Sequence, residues 1–178
     1  MTGPLPHGAA LRPLEPHDDE RGTFTELFRA EWLAGISAPV QWNAVRTEPG
    51  VLRGVHVHPR HDDYLVVCSG RATVGLADLR PDAPTAGLAM CVELCAQAPA
   101  ALTIPHGVAH GFYFHEPSLH VYAVSHYWDP ADELGCHWQD PALGIPWPQA
   151  SARLSPRDAA LPTLDALRGQ LGAALLPG

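Results

Sequence analysis

The chain has 178 residues, a net charge of -8 with histidine counted neutral, and is 46% hydrophobic but only 17% charged. That length suits one domain with its own core, and the composition excludes a disordered chain or a coiled coil. The acidic balance leaves no basis for nucleic-acid binding, which needs clustered cations to displace counterions; all 11 basic residues are arginine, and lysine is absent.

Residues 1–17, with Pro4, Pro6, Pro13 and Pro16, read as an extended arm, either loose or laid across a partner subunit. Residues 18–128 read as a barrel. Their apolar residues come in short runs rich in Val, Leu, Thr and aromatics, separated by turn residues, which is the pattern of strands. The candidate strands are "TFTELF", "VQWNAVRT", "VLRGVHVH", "YLVVCSG", "RATVGLADL", "LAMCVELC", "ALTIPHG", "GFYFH" and "LHVYAVSHYW". So many short strands with hardly a helix between them predict an all-β sandwich or jelly-roll barrel. "FRAEWLAG" is expected to form two helical turns ended by Gly35. Residues 129–178 form a C-terminal segment in which "TLDALRGQL" predicts a short helix capped by Thr163. No repeat or linker divides the chain, so a single domain is expected. Cys68, Cys91, Cys95 and Cys136 stand singly among apolar residues and read as buried free thiols. Neither a signal peptide nor a membrane-spanning run is present, which predicts a cytoplasmic protein without a membrane partner.

The chemistry concentrates in "VLRGVHVHPRHDDYLVVCSG". On a strand His56 and His58 share a face, so both can enter a barrel mouth; the bland alternative is a solvated pair. His61 and Asp62 are expected to be solvated loop residues. In "IPHGVAHGF", Pro105 and Gly107 set a turn that delivers His110 to the start of the next strand.

Together these stretches resemble the paired signatures of the cupin superfamily, which implies a small jelly roll with its site in the mouth. In metal-binding cupins the pattern is HxH, a carboxylate and a second-motif His. Here that falls on His56, His58, Asp63 and His110, a set suited to a divalent transition metal.

A longer resemblance, from about residue 18 to 162, is to the dTDP-4-dehydrorhamnose 3,5-epimerase family. It is carried by "DERGTFTELF", "QWNAVRTEPGVLRGVHV", "GRATVGLADLRPDAPTAG", "IPHGVAHGF", "VYAVSHYWDPADELGCHWQDPALGIPWP" and "LSPRD". The resemblance implies a cofactor-free isomerase, expected as a homodimer, that acts on a nucleotide-diphosphate sugar. It assigns the catalytic base to His56, the acid that orients it to Asp158, and the opposing general acid to Tyr122. Arg21, Glu26, Gln41, Asn43, Arg53, His110 and Trp128 fall at substrate-binding positions. Read without the family, Tyr122 could be a core-edge residue, Arg21 and Glu26 a surface ion pair, and Asp158 a helix cap.

The chain departs from the family at three places. Asp63 stands where the family carries a lysine, and His58 where it carries a neutral polar residue. Pro146 replaces a frequent acidic residue and reads as structural. The first two departures recreate the metal-cupin quartet. Three readings therefore stand: a metal-free 3- or 3,5-epimerase, a metal-dependent cupin isomerase or dioxygenase, and a non-catalytic sugar-nucleotide-binding cupin.

Overall fold

The computed structural model describes residues 3–33 and 35–174. Its strands are β1 (Ala10–Pro13), β2 (Pro16–Asp19), β3 (Gly22–Thr25), β4 (Gln41–Thr47), β5 (Leu52–Val57), β6 (Asp63–Ser69), β7 (Arg71–Asp78), β8 (Ala89–Cys95), β9 (Ala100–Ile104), β10 (Val108–Phe114), β11 (Ser118–Val124) and β12 (Leu134–Gly135). Two helices follow, α1 (Pro156–Ala159) and α2 (Leu164–Ala174). One sheet runs β1-β9-β6-β11-β4, the facing sheet runs β12-β5-β10-β7-β8, and β2-β3 forms a separate hairpin. This is the cupin-type jelly roll, and each predicted strand region contains a strand.

The central strands are apolar in unbroken runs because both of their faces are covered. On β6, Leu65 and Val67 point between the sheets and meet Val74, Leu76, Leu102, Ile104 and Phe114. Its alternate residues Tyr64 and Val66 point outward, under Leu14, Leu27, Phe28 and Trp32 of the N-terminal segment. The second sheet is backed in the same way: Leu52, Val55 and Val57 of β5 pack against Trp138, Leu143, Leu164 and Leu167. The C-terminal segment is thereby anchored to the back of the strand that carries the histidines.

Three expectations are corrected. Part of the arm is neither loose nor on a partner, since Leu11 of β1 pairs with Leu102 of β9 and packs on the inter-sheet core with Leu5. Burial of these leucines holds the extended, proline-containing segment against the sheet. "FRAEWLAG" gives only one tight turn, at Ala30–Trp32. Phe28, Trp32 and Leu33 must all reach the outer face of β6, and Arg12 lies 4.6 Å over the Trp32 ring, so tertiary contacts override helix propensity. Only Cys136 is buried, while Cys68, Cys91 and Cys95 are partly exposed and unpaired. The C-terminal helix forms as expected, with Thr163 Oγ1 accepting from the Ala166 amide. No helix among the described residues is long and apolar enough to cross a membrane.

Candidate active site

A cavity of about 340 Å³ opens between the two sheets. Arg53, His56, His110 and Phe112 line it from the β5/β10 side, and Val45, Asp63, Leu65, His120 and Tyr122 from the other. Glu133, Ser155, Arg157 and Asp158 close it from the C-terminal segment.

A bulge explains how β5 loads this wall. His110 pairs with His56, but Phe112 pairs with Arg53, so two residues of β5 oppose one of β10. Residues three apart would ordinarily face opposite ways. The extra residue puts Arg53, His56 and His58 into the cavity while Leu52, Val55 and Val57 stay in the core behind, a common use of bulges beside sites. Gly54 makes the bulge possible: its φ is +110°, and a Cβ there would sit 2.8 Å from the His110 carbonyl oxygen. Gly54→Ala is expected to cost about 1–3 kcal/mol, read as a lower denaturant midpoint with an unchanged slope.

His56 Nε2 lies 2.8 Å from Asp158 Oδ1. The pair spans 102 residues of sequence, and it forms because Ser155 caps α1, accepting from the Asp158 amide at 3.0 Å. The carboxylate accepts from His56 Nε2–H, which leaves Nδ1 with its lone pair toward the cavity. Burial pushes the Asp158 carboxyl up, but the hydrogen bonds from His56, Ser155 and Gly54 outweigh it and hold the group below its ordinary value. Glu133 Oε2 stands 3.9 Å from His56 Nδ1 and is held by Arg157 at 3.2 Å.

Tyr122 lines the opposite wall and is half-buried. Burial raises its hydroxyl, and Glu133 and Asp63 raise it further against the opposing effect of Arg53. The phenol therefore keeps its proton at neutral pH. Arg53 donates from Nε to Thr47 Oγ1 at 3.0 Å, which fixes the guanidinium. Trp128 lies at the mouth, its amide donating to Gln41 Oε1 at 3.0 Å; Gln41 in turn donates to Asn43 Oδ1 at 3.0 Å.

Arg21 and Glu26 lie outside the cavity. Arg21 sits at the tip of the β2-β3 hairpin, 84% exposed and paired with Asp19, while Glu26 pairs with Arg29 at 2.7 Å. They are surface ion pairs, though not with each other.

The set His56, His58, Asp63 and His110 of the cupin pattern does not stay together: His56 turns away to Asp158, and His61 stands beside His58 and Asp63. His61 is 2% exposed rather than solvated, with Nδ1 2.9 Å from Asp132 Oδ2. Asp62 is equally buried; its carboxylate accepts from the Ser37 and His106 amides at 2.7 and 2.8 Å. His61 turns inward toward the segment carrying Asp132, and Asp62 toward Ser37, His106 and Ser125. Burial lowers His61, with Asp132 opposing, and lowers His58 strongly. It takes His110 down to about 3 and His120 to about 4, so all four imidazoles are neutral. The Asp63 carboxyl is raised well above its ordinary value by burial and then by Glu133, Asp62 and Asp132.

Glu133, Arg157, His61, Asp132 and His120 are site residues that sequence reasoning missed. "DPADE" and "SPRD" carry the charges, but only the return of the C-terminal segment across β5 brings them to the cavity.

Residues 6–166 match the family model described as dTDP-4-dehydrorhamnose 3,5-epimerase. The chain is 37% identical over 163 residues to the dTDP-4-dehydrorhamnose 3,5-epimerase of Salmonella typhimurium, covering 85% of this chain and 89% of that one. Identity is likewise 37% over 166 residues to the Neisseria gonorrhoeae enzyme of that name; the match takes 88% of this chain but only 49% of that longer protein. Among solved structures, the dTDP-6-deoxy-D-glucose-3,5-epimerase of Legionella pneumophila, in complex with dTDP-4-keto-L-rhamnose, superposes with a TM-score of 0.85 at 34% identity, covering 92% of each chain.

Proposed function

Because this chain belongs to the dTDP-4-dehydrorhamnose 3,5-epimerase family, we propose that its inter-sheet cavity holds the hexose ring, with His56 as base and Tyr122 as acid. The reaction class is that of the family: isomerisation of a dTDP-4-keto-6-deoxyhexose by inversion at C3 and/or C5. The C4 ketone acidifies the neighbouring C–H bonds. His56 takes a proton through Nδ1, and the resulting imidazolium is stabilised by the Asp158 carboxylate on Nε2. Tyr122 returns a proton to the enolate from the opposite face, which inverts the carbon. The observation that carries this reading is the 2.8 Å His56–Asp158 pair on one wall of a cavity whose other wall presents a protonated tyrosine.

In this reading Arg53 and Arg157 hold the diphosphate, because guanidinium groups form paired, charge-assisted hydrogen bonds to its oxygens. Trp128, beside Gln41 and Asn43, stacks on the nucleotide base. The proton transfers use protein side chains and no organic cofactor. The β2-β3 hairpin belongs to neither large sheet, and Phe24, Val40 and Trp42 are exposed. These features support a homodimer in which the hairpin brings Arg21 and Glu26 to the other subunit's nucleotide.

Incubation with dTDP-4-keto-6-deoxyglucose in D2O tests the reading. Deuterium is expected at C3, C5 or both, together with an inverted product. Binding with neither exchange nor inversion would favour a non-catalytic sugar-nucleotide module.

A further inference from the structure

Beside the base and acid, the cavity wall holds a second cluster to which this mechanism gives no task. Asp63 Oδ2 lies 3.8 Å from His58 Nε2, 3.9 Å from His61 Nε2 and 3.8 Å from His110 Nε2. His58, His61 and Asp63 each offer a ligand atom within 4.8 Å of the others. We propose that His58, His61, His110 and Asp63 form a binding site for one divalent transition-metal ion.

The hydrogen bonds on the far side of each ring carry the argument. His61 Nδ1 is 2.9 Å from Asp132 Oδ2, His58 Nδ1 is 3.4 Å from the Asp132 carbonyl oxygen, and His110 Nδ1 is 3.1 Å from the Val108 carbonyl oxygen. All three partners are acceptors, so each ring carries its proton on Nδ1 and turns a bare Nε2 lone pair toward Asp63. Three nitrogen acceptors and a carboxylate thus converge. A proton on Asp63 can serve only one of the three nitrogens. His61 Nε2 is buried with no hydrogen-bond partner. A single cation satisfies all four groups together.

The donor set also names the cation. Three imidazoles with one carboxylate select zinc, iron, cobalt or nickel over magnesium or calcium. Metal–ligand bonds of about 2.0–2.2 Å place tetrahedral ligand atoms about 3.4 Å apart. The Asp63–nitrogen distances of 3.8, 3.9 and 3.8 Å therefore contract by about half an ångström, while the rings of His58 and His61, whose ligand atoms lie with that of Asp63 within 4.8 Å of one another, close further on one another around the ion. The Asp132 carboxylate behind His61 is the outer support that such ligands ordinarily have. His56 takes no part, so a bound ion leaves the base free. His58, Asp63 and His110 line the cavity, where the ion would supply Lewis-acid charge to a keto oxygen in a chain that has no lysine. This last point rests on the epimerase reading; the site itself does not.

The test is Co2+ titration of the untagged, chelator-dialysed full chain, followed by visible absorption and by displacement with Zn2+, without substrate. One ion per chain with the strong bands of a low-symmetry, imidazole-bound cobalt is expected. Asp132→Asn is expected to weaken binding 10–100-fold, His61→Asn to abolish it, and His56→Ala to leave it unchanged. Cobalt that keeps its aqueous spectrum overturns the site, as does wild-type affinity in His61→Asn or loss of the ion in His56→Ala. If His61→Asn fails to fold, the wild-type spectrum and Asp132→Asn decide. Failure of the deuterium-exchange assay alone would remove the epimerase reading and leave the metal site standing.

Discussion

Replacing His56 with alanine is expected to lower turnover by about two to four orders of magnitude, with deuterium exchange falling in step with product formation. Of the histidines that line the cavity, His58, His110 and His120 are held neutral by burial, and none has the 2.8 Å carboxylate contact that joins His56 to Asp158. Removing the ring leaves water, or the Glu133 carboxylate that stood 3.9 Å from Nδ1 and is held by Arg157, as poorer acceptors for the proton. Measured turnover within tenfold of wild type, in a variant with an unchanged far-UV spectrum, would remove His56 from the role of base. Asp158→Asn is the companion variant. An amide in place of the carboxylate cannot stabilise the imidazolium, so a slower enzyme with nearly unchanged KM is expected.

Tyr122→Phe is expected to separate two events that occur together in the wild type. With His56 intact, the acidic hydrogen still leaves and exchanges with solvent. Without the phenol, the enolate is reprotonated from the side it left, so deuterium enters with retention. Formation of inverted product should fall by about two to four orders of magnitude, while wash-in of deuterium falls far less. The opposite placement supports this outcome: His56 comes from β5 in one sheet and Tyr122 from β11 in the other, so the two groups approach the ring from different walls. Equal loss of exchange and inversion would assign Tyr122 to binding the ketone or to building the wall.

The metal site and the base are compatible in the fold, although sequence spacing set them against each other. The HxH pattern offers His56 and His58 as joint ligands, which would take the base out of service. In the structure the bulge at Gly54 and the Asp158 contact draw His56 to one side. The loop after β5 then folds His61 inward, its ring 3.8 Å from that of His58. The same cavity can therefore carry a free base and a cation.

Much of this was legible in the residues themselves. Short apolar runs, the turn residues between them and helical spacing near the C-terminus are local properties, and they located the strands from β3 to β11 and the C-terminal helix. The long motifs pointed to the family, and with it to His56, Asp158, Tyr122 and Arg53. Loop burial was not legible: His61 and Asp62 look solvent-seeking by type, but Asp132, Ser37 and His106 satisfy them inside the protein. Nor was the absence of Arg21 and Glu26 from this chain's own cavity, because the direction of the β2-β3 hairpin is not set by its local sequence. Glu133 and Arg157 could not be found from spacing, since they reach the site only when the segment after β11 returns across β5. Local sequence determined the strands and the chemical types available, because backbone preference and side-chain periodicity act over a few residues. The tertiary structure alone decided which of eleven histidines faces a carboxylate, which faces the cavity and which faces its neighbours. Those choices depend on contacts between residues as far as 102 positions apart.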